Sequence, residues 1–278
     1  MISLIDGLLK NIIQLEDMII KKNEWDSNKK DWGFGRTKID NFLDEETAYK
    51  LYEECLNAPK GGWTVFTRAG SRMEEFNDLI SLPTAHKLTY DIMHSGEFIY
   101  ELEQMTGIIG LLPDPHLVGA GYSIIRNGET LGCHYDFNWN DRIRLHRKLT
   151  SLLYITPDWK DEWGGHIEYY DDNIDINPNA NLIESISPKF NRFVINENVK
   201  QGPHHRVSAV NAPNNVYGRC AIRFFYYIST SEPDKDNPPH RSTYKTNEYS
   251  HFKLHEEEHW DGHFVGQGGE DYGYKPKN

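Results

Sequence analysis

The sequence predicts a mainly β protein with flanking helices, on two observations. From Leu117 onward, short runs rich in β-branched and aromatic residues follow one another, each bounded by Gly, Pro, Asn or Asp. Ahead of them, the first third of the chain reads as a series of helical segments. Short strands in series suggest a sandwich or jelly roll, with the helices packed on one outer face. At 278 residues the chain suits one large domain. That domain is expected over 1–230, with helical support over 1–110 and the β core over about 117–228. A polar, Pro- and Gly-punctuated C-terminal extension, 231–278, follows it.

The elements come in this order. Ile2, Ile5, Leu9, Ile12 and Ile19 fall at helical spacing and predict an opening amphipathic helix. Asp6, Lys10, Glu16 and Asp17 interrupt the apolar run, which argues against a targeting segment. Asp44 is placed to cap a second helix, with Glu45 and Glu46 in its first turn. Leu51, Tyr52, Cys55 and Leu56 form its apolar face, and Gly61-Gly62 ends it. A third helical stretch runs from Thr84 to Met105, broken at Ser95-Gly96. Strands are predicted over 122–125, 149–155, 166–170, 192–195 and 220–228.

Composition narrows the function. Lys and Arg number 30 against 42 Asp and Glu, a net charge of −12, so no nucleic-acid partner is expected. With 38% hydrophobic and 26% charged residues, neither disorder nor a membrane protein fits. Cys55, Cys133 and Cys220 make no disulfide framework and no C-x-x-C pair. The expected compartment is a reducing cytoplasm, with no signal peptide or transmembrane segment.

Three motifs could carry chemistry. In His134-Tyr135-Asp136, residues two apart share one strand face, so an imidazole and a carboxylate can reach the same ion. The spacing alone is weak, since it recurs at His259-Trp260-Asp261, and a surface pair is the plain alternative. A third ligand is available in Pro203-His204-His205-Arg206-Val207. Two His and one carboxylate make the facial triad of non-haem iron sites, which leaves coordination positions open. On a strand only one of the adjacent histidines can join His134 and Asp136.

His255-Glu256-Glu257-Glu258-His259 matches the zinc-protease pattern H-E-x-x-H. It lies in a short, polar, Gly-rich tail, so a solvated charged helix is the better reading. Arg219 and Arg223, four residues apart in an apolar run, share one strand face. A buried Arg needs an anionic partner, either an internal acid or a dicarboxylate guest. Trp139, Trp163 and Tyr122 are candidates for the mouth of a site, with core packing the alternative.

With these residues in view, the chain resembles the Fe(II)/2-oxoglutarate-dependent oxygenases, in the prolyl 4-hydroxylase-like branch with bacterial and phage members. The resemblance covers roughly 117–228, with a looser echo at Asp40-Asn41-Phe42-Leu43-Asp44-Glu45-Glu46. His134-Tyr135-Asp136 resembles the family's H-x-D, and His205-Arg206-Val207 its distal His, which selects His205 over His204. Arg219 resembles the basic residue that holds the far carboxylate of 2-oxoglutarate, and Tyr154 a tyrosine hydrogen-bonded to it. Thr150 and Arg223 are further expected cosubstrate contacts. Trp159 with Gly164-Gly165 and the late His240-Arg241-Ser242-Thr243 are similar to other segments of the family. Ile125, Ala221 and Arg223 depart from the family pattern, and Arg223 puts the shape of the pocket in question.

The resemblance implies a double-stranded β-helix, that is a jelly-roll core, with the N-terminal helices packed on one sheet. It implies Fe(II) on His134, Asp136 and His205, with 2-oxoglutarate, O2 and a stimulating effect of ascorbate. The implied reaction hydroxylates an unactivated C–H bond of a prolyl residue or free amino acid, releasing succinate and CO2. Two alternatives stand beside it. One is a hydroxylase of the same family acting on a sugar, lipid or metabolite; the other is a non-catalytic jelly-roll binding module. The partner is accordingly a peptide, a protein or a small molecule.

Overall fold

The computed structural model describes residues 16–68, 70–199, 203–229 and 243–244. Most of the opening helix, His259-Trp260-Asp261 and the His255–His259 pattern lie outside the described residues.

Two antiparallel sheets face each other. The larger has nine strands, in the order β1 (Arg36–Ile39), β11 (Arg192–Glu197), β8 (Leu145–Tyr154), β13 (Arg219–Ile228), β5 (Gly121–Ile125), β3 (Ser71–Phe76) and β2 (Trp63–Arg68). Short β4 (Leu111–Pro113) and β7 (Trp139–Asn140) pair with β13 and β8. The smaller sheet runs β10 (Leu182–Ile186), β9 (Ile167–Tyr170), β12 (His204–Val207), β6 (Leu131–Tyr135) and β14 (Thr243–Tyr244). This is the predicted jelly roll. The late motif ends in it, because the backbone of Thr243 and Tyr244 pairs with Tyr135 and His134 at the edge of the smaller sheet.

Among the described residues, four helices accompany the sheets: α1 (Glu16–Trp32), α2 (Glu45–Asn57), α3 (Thr84–Met93) and α4 (Gly96–Thr106). Asp44 caps α2, its carboxylate accepting from the Thr47 amide at 2.9 Å. The break at Ser95-Gly96 separates α3 from α4, where Ser95 Oγ accepts from the Phe98 amide and Gly107 at φ 68° ends the helix. The helix α2 stops at Asn57, before the glycines, and Leu56 is 37% exposed rather than part of its buried face.

The first third is less helical than the sequence suggests. Residues 36–39, 63–68 and 71–76 are strands. The β2–β3 hairpin, with Gly70 at φ 76° in its turn, buries Phe66 and Met73 while Val65 stays exposed. Its polar residues leave no apolar run, so only this period of two marks it.

Central strands are apolar because they are covered on both sides. On β13, Cys220, Ile222, Phe224 and Tyr226 join the helices in the main core with Leu51, Met93 and Phe98. Arg219, Ala221 and Arg223 take the opposite face, toward the smaller sheet. Between the sheets lie two small apolar clusters, one around Phe66, Ile125, Leu131 and Val207, the other around Leu152, Tyr154, Ile167 and Val194. A cavity of mixed lining lies against both, bordered by residues of each cluster.

Asp114, after β4, is fully buried, and its carboxyl accepts from the His116 amide at 3.0 Å. Burial pushes its pKa up from 3.8 to about 7, against the pull of the backbone amides of His116 and Leu117. The folded chain therefore keeps a proton that the unfolded chain has lost, and stability falls as pH rises between about 4 and 7. Asp114→Asn is expected to remove that slope and raise the Tm above pH 7. Calorimetric Tm against pH checks this, and an unchanged slope would refute it.

Candidate metal centre

His134 and Asp136 are brought to the cavity by β6 and the turn after it, and His205 by β12. The two histidines sit opposite each other in the β6–β12 ladder, their ring centroids 4.3 Å apart. One ligand atom from each of His134, Asp136 and His205 lies within 4.8 Å of the others. Asp136 Oδ1 is 3.8 Å from His134 Nε2 and 3.9 Å from His205 Nε2, which suits an ion seated among the three. His204 takes the other face of β12, its ring against Tyr135 at 5.5 Å.

Each imidazole is oriented through its other nitrogen. His134 Nδ1 lies 2.8 Å from the Gly132 carbonyl and His205 Nδ1 2.9 Å from the Pro203 carbonyl. An N–H there leaves Nε2 as the ligating atom. Burial, reinforced by His205, lowers the His134 pKa to about 3, so the ring is neutral and able to coordinate near pH 7.

The carboxylate is held as firmly. Arg147 donates to Asp136 Oδ2 at 2.9 Å, and Thr150 Oγ1 lies 3.2 Å from the same oxygen, which leaves Oδ1 toward the histidines. With its amide oriented to satisfy both ends, Asn198 donates to Thr150 Oγ1 at 3.0 Å. Its oxygen then accepts from Arg147 Nε and Nη2 at 2.9 and 3.1 Å. The Arg147 guanidinium also lies between the rings of Phe137 and Phe225, 3.8 and 4.2 Å from their centroids. Although burial opposes ionisation, Arg147 and the two imidazoles hold the Asp136 carboxyl well below the usual range. Arg147 and Asn198 were not among the candidates from sequence. Arg147→Ala is expected to weaken Fe(II) binding about 10- to 100-fold, with Arg147→Lys recovering only part. A metal titration measures it.

Arg219 lies at another wall of the cavity, buried, with no carboxylate beside it among the described residues. Its Nε donates to the Gly165 carbonyl at 2.7 Å and its Nη2 to Tyr154 Oη at 3.0 Å. The Tyr154 O–H is thus left to donate elsewhere. The Gly164-Gly165 pair explains itself here. A Cβ on Gly164 would stand 2.2 Å from the Ala209 carbonyl, one on Gly165 3.2 Å from Arg219 Cδ, and both residues have φ 67°. A buried, acid-free guanidinium beside a tyrosine hydroxyl fits the far carboxylate of a dicarboxylate.

The remaining candidates are placed as follows. Thr150 lines the cavity but is engaged by Asp136 and Asn198. Arg223 lines it too and forms an ion pair with buried Glu75 of β3. Ile125 contributes to the lining, and Ala221 is buried between the sheets. Trp139, Trp163 and Tyr122 are not part of the lining; Tyr122 belongs to the core beneath the helices.

A jelly roll with two histidines and one carboxylate converging on one site is the donor arrangement of non-haem iron oxygenases. Consistent with this, residues 120–227 match the family model of the 2OG-Fe(II) oxygenase superfamily. The chain carries a 2OG-Fe(II) oxygenase domain, and the donor set at His134, Asp136 and His205 suits its iron. Prolyl 3-hydroxylase OGFOD1 of Xenopus laevis is 23% identical over 263 residues, covering 77% of this chain and 47% of the relative. The chain thus spans about half the length of that curated relative.

Among solved structures, a Trichoplax adhaerens prolyl hydroxylase bound to a hypoxia inducible factor peptide superposes with a TM-score of 0.53 at 20% identity. That match covers 77% of this chain and 92% of the other. A Pseudomonas putida prolyl-4-hydroxylase gives 0.51 at 13% identity, covering 75% and 100%. Among the described residues, no helix is long and apolar enough to cross a membrane.

Proposed function

We propose that this protein is an Fe(II)/2-oxoglutarate-dependent dioxygenase that hydroxylates an unactivated C–H bond, with a prolyl residue or free amino acid as its substrate. The observation that carries the reading is the pairing of two features in one cavity: the His134–Asp136–His205 donor set and the acid-free Arg219 with Tyr154. A pure binding module has no need of an open-sided metal site facing an anion anchor. The prolyl preference rests on the similarity to prolyl hydroxylases.

His134 Nε2, Asp136 Oδ1 and His205 Nε2 would hold Fe(II), leaving its other positions to the cosubstrate and oxygen. Arg219, with the Tyr154 hydroxyl, would bind the far carboxylate of 2-oxoglutarate and so orient its keto acid end toward the metal. When bound, iron and 2-oxoglutarate supply the oxidising chemistry, with succinate and CO2 as co-products. Arg147, Thr150 and Asn198 keep Asp136 ionised and fix which oxygen faces the ion. Apolar Met73, Ile125, Leu131, Leu152 and Val207 line the rest and limit water.

The test is Fe(II)-dependent release of succinate from 2-oxoglutarate, coupled to a mass-spectrometric search for +16 Da products in a cell lysate. Succinate that tracks iron, with an oxygenated product, supports the reading. A protein that binds no iron and releases no succinate is the binding module instead. An oxygenated sugar, lipid or other metabolite identifies the small-molecule alternative.

A further inference from the structure

Arg223, which the sequence offered as a cosubstrate contact, is a charged cavity group given no part in the function proposed above. It lies four residues beyond Arg219 on β13, about 13 Å along the strand, and faces the same cavity. Its Nη2 donates to Glu75, which reaches it from β3 across β5. Its Nε is buried with no hydrogen-bond partner. Glu75 is its only hydrogen-bond partner among the described residues, so most of a five-donor fork is unspent. Arg147, by contrast, has Asp136, Asn198 and two aromatic faces.

The charge balance of the cavity also leaves room for one more anion. Among the described residues, Arg147, Arg219 and Arg223 line the cavity, and Asp136 and Glu75 are the acids that touch them, an excess of one positive charge. Fe(II) and the 2-oxoglutarate dianion carry opposite and equal charges, so loading the site leaves that excess in place. Asp136 is then shared between Arg147 and the metal. An excess of positive charge in a buried site is costly, and a substrate carboxylate placed among the arginines offsets it locally, even in a zwitterion whose ammonium lies away from them. An internal residue of a neutral peptide segment does not.

Resting on the function proposed above, we infer that the substrate carries a free carboxylate close to the carbon that is oxidised, and that Arg223 binds this carboxylate. The substrate class is then a free amino acid, or the C-terminal residue of a peptide, rather than an internal prolyl residue. Glu75 acts as a positioning residue: it holds the guanidinium at the cavity wall and competes weakly with the incoming carboxylate.

Anaerobic calorimetry on enzyme loaded with Fe(II) and 2-oxoglutarate tests this, using free L-amino acids, prolyl dipeptides and the carboxamide of each. At least one acid should bind about tenfold or more tighter than its amide. Arg223→Gln should erase that preference and Arg223→Lys keep part of it. Glu75→Gln, which removes the competing carboxylate, should tighten the acid. A purely structural Arg223–Glu75 pair would weaken binding in both directions and leave the preference unchanged. Acids and amides that bind alike, no binding by any of the panel, or a preference that survives Arg223→Gln each overturn the inference. Succinate release in air without added substrate is measured in parallel. Its absence in the wild type counts against the oxygenase reading itself, and its presence confines any failure to the substrate class.

Discussion

Asp136→Ala is expected to lose both stoichiometric iron and turnover. Two neutral imidazoles bind Fe(II) less well than a site with a carboxylate. The loss is compounded because Arg147, 1% exposed, would be left buried without its acid. The protein's Tm should therefore fall along with its iron content, and both are measurable on the same preparation. His205→Ala should likewise abolish Fe(II)-dependent succinate release, whereas His204→Ala, on the opposite face of β12, should retain most of it. Wild-type iron content in Asp136→Ala, or the reverse ranking of the two histidines, would displace the metal from this triad.

The second large effect is at the anion anchor. Arg219→Ala should raise the 2-oxoglutarate KM about a hundredfold, the scale of a lost charge-assisted pair in a buried site. Arg223→Ala should raise it far less, since Arg223, held by Glu75, is not the group assigned to the cosubstrate. Tyr154→Phe should fall between them, because it removes one hydroxyl and leaves the charge. The 2-oxoglutarate dependence of succinate release in the three variants decides the order. If only the Arg223 change matters, the anchor lies four residues further along β13.

The sequence made the metal cluster legible because its parts obey simple geometry. His134 and Asp136 are two apart next to a strand, and the alternation of β12 separates His205 from His204. Arg219 was visible as a charge inside an apolar strand. Arg147 was not. Counting back by twos from Tyr154 gives Leu152, Thr150 and Lys148, which places Arg147 on the wrong face. The register of β8 against β13 slips there, with Tyr226 opposite Leu149 and Tyr227 opposite Arg147. One extra residue, Lys148, returns Arg147 to the inner face, and a bulge of this kind leaves no mark on residue type. Glu75 was hidden for a different reason. It belongs to a polar hairpin read as part of a helical region, and only the strand order β13-β5-β3 brings it to Arg223. Helix starts, by contrast, are local, and Asp44 and Ser95 were enough to mark those of α2 and α4.

The most direct measurement is an anaerobic Fe(II) titration of the purified protein, followed by exposure of each loaded sample to 2-oxoglutarate and air, with succinate quantified. One iron per chain is expected, with succinate release that rises in proportion to bound iron and disappears in Asp136→Ala. Succinate release independent of iron, or iron bound equally well without Asp136, would contradict it.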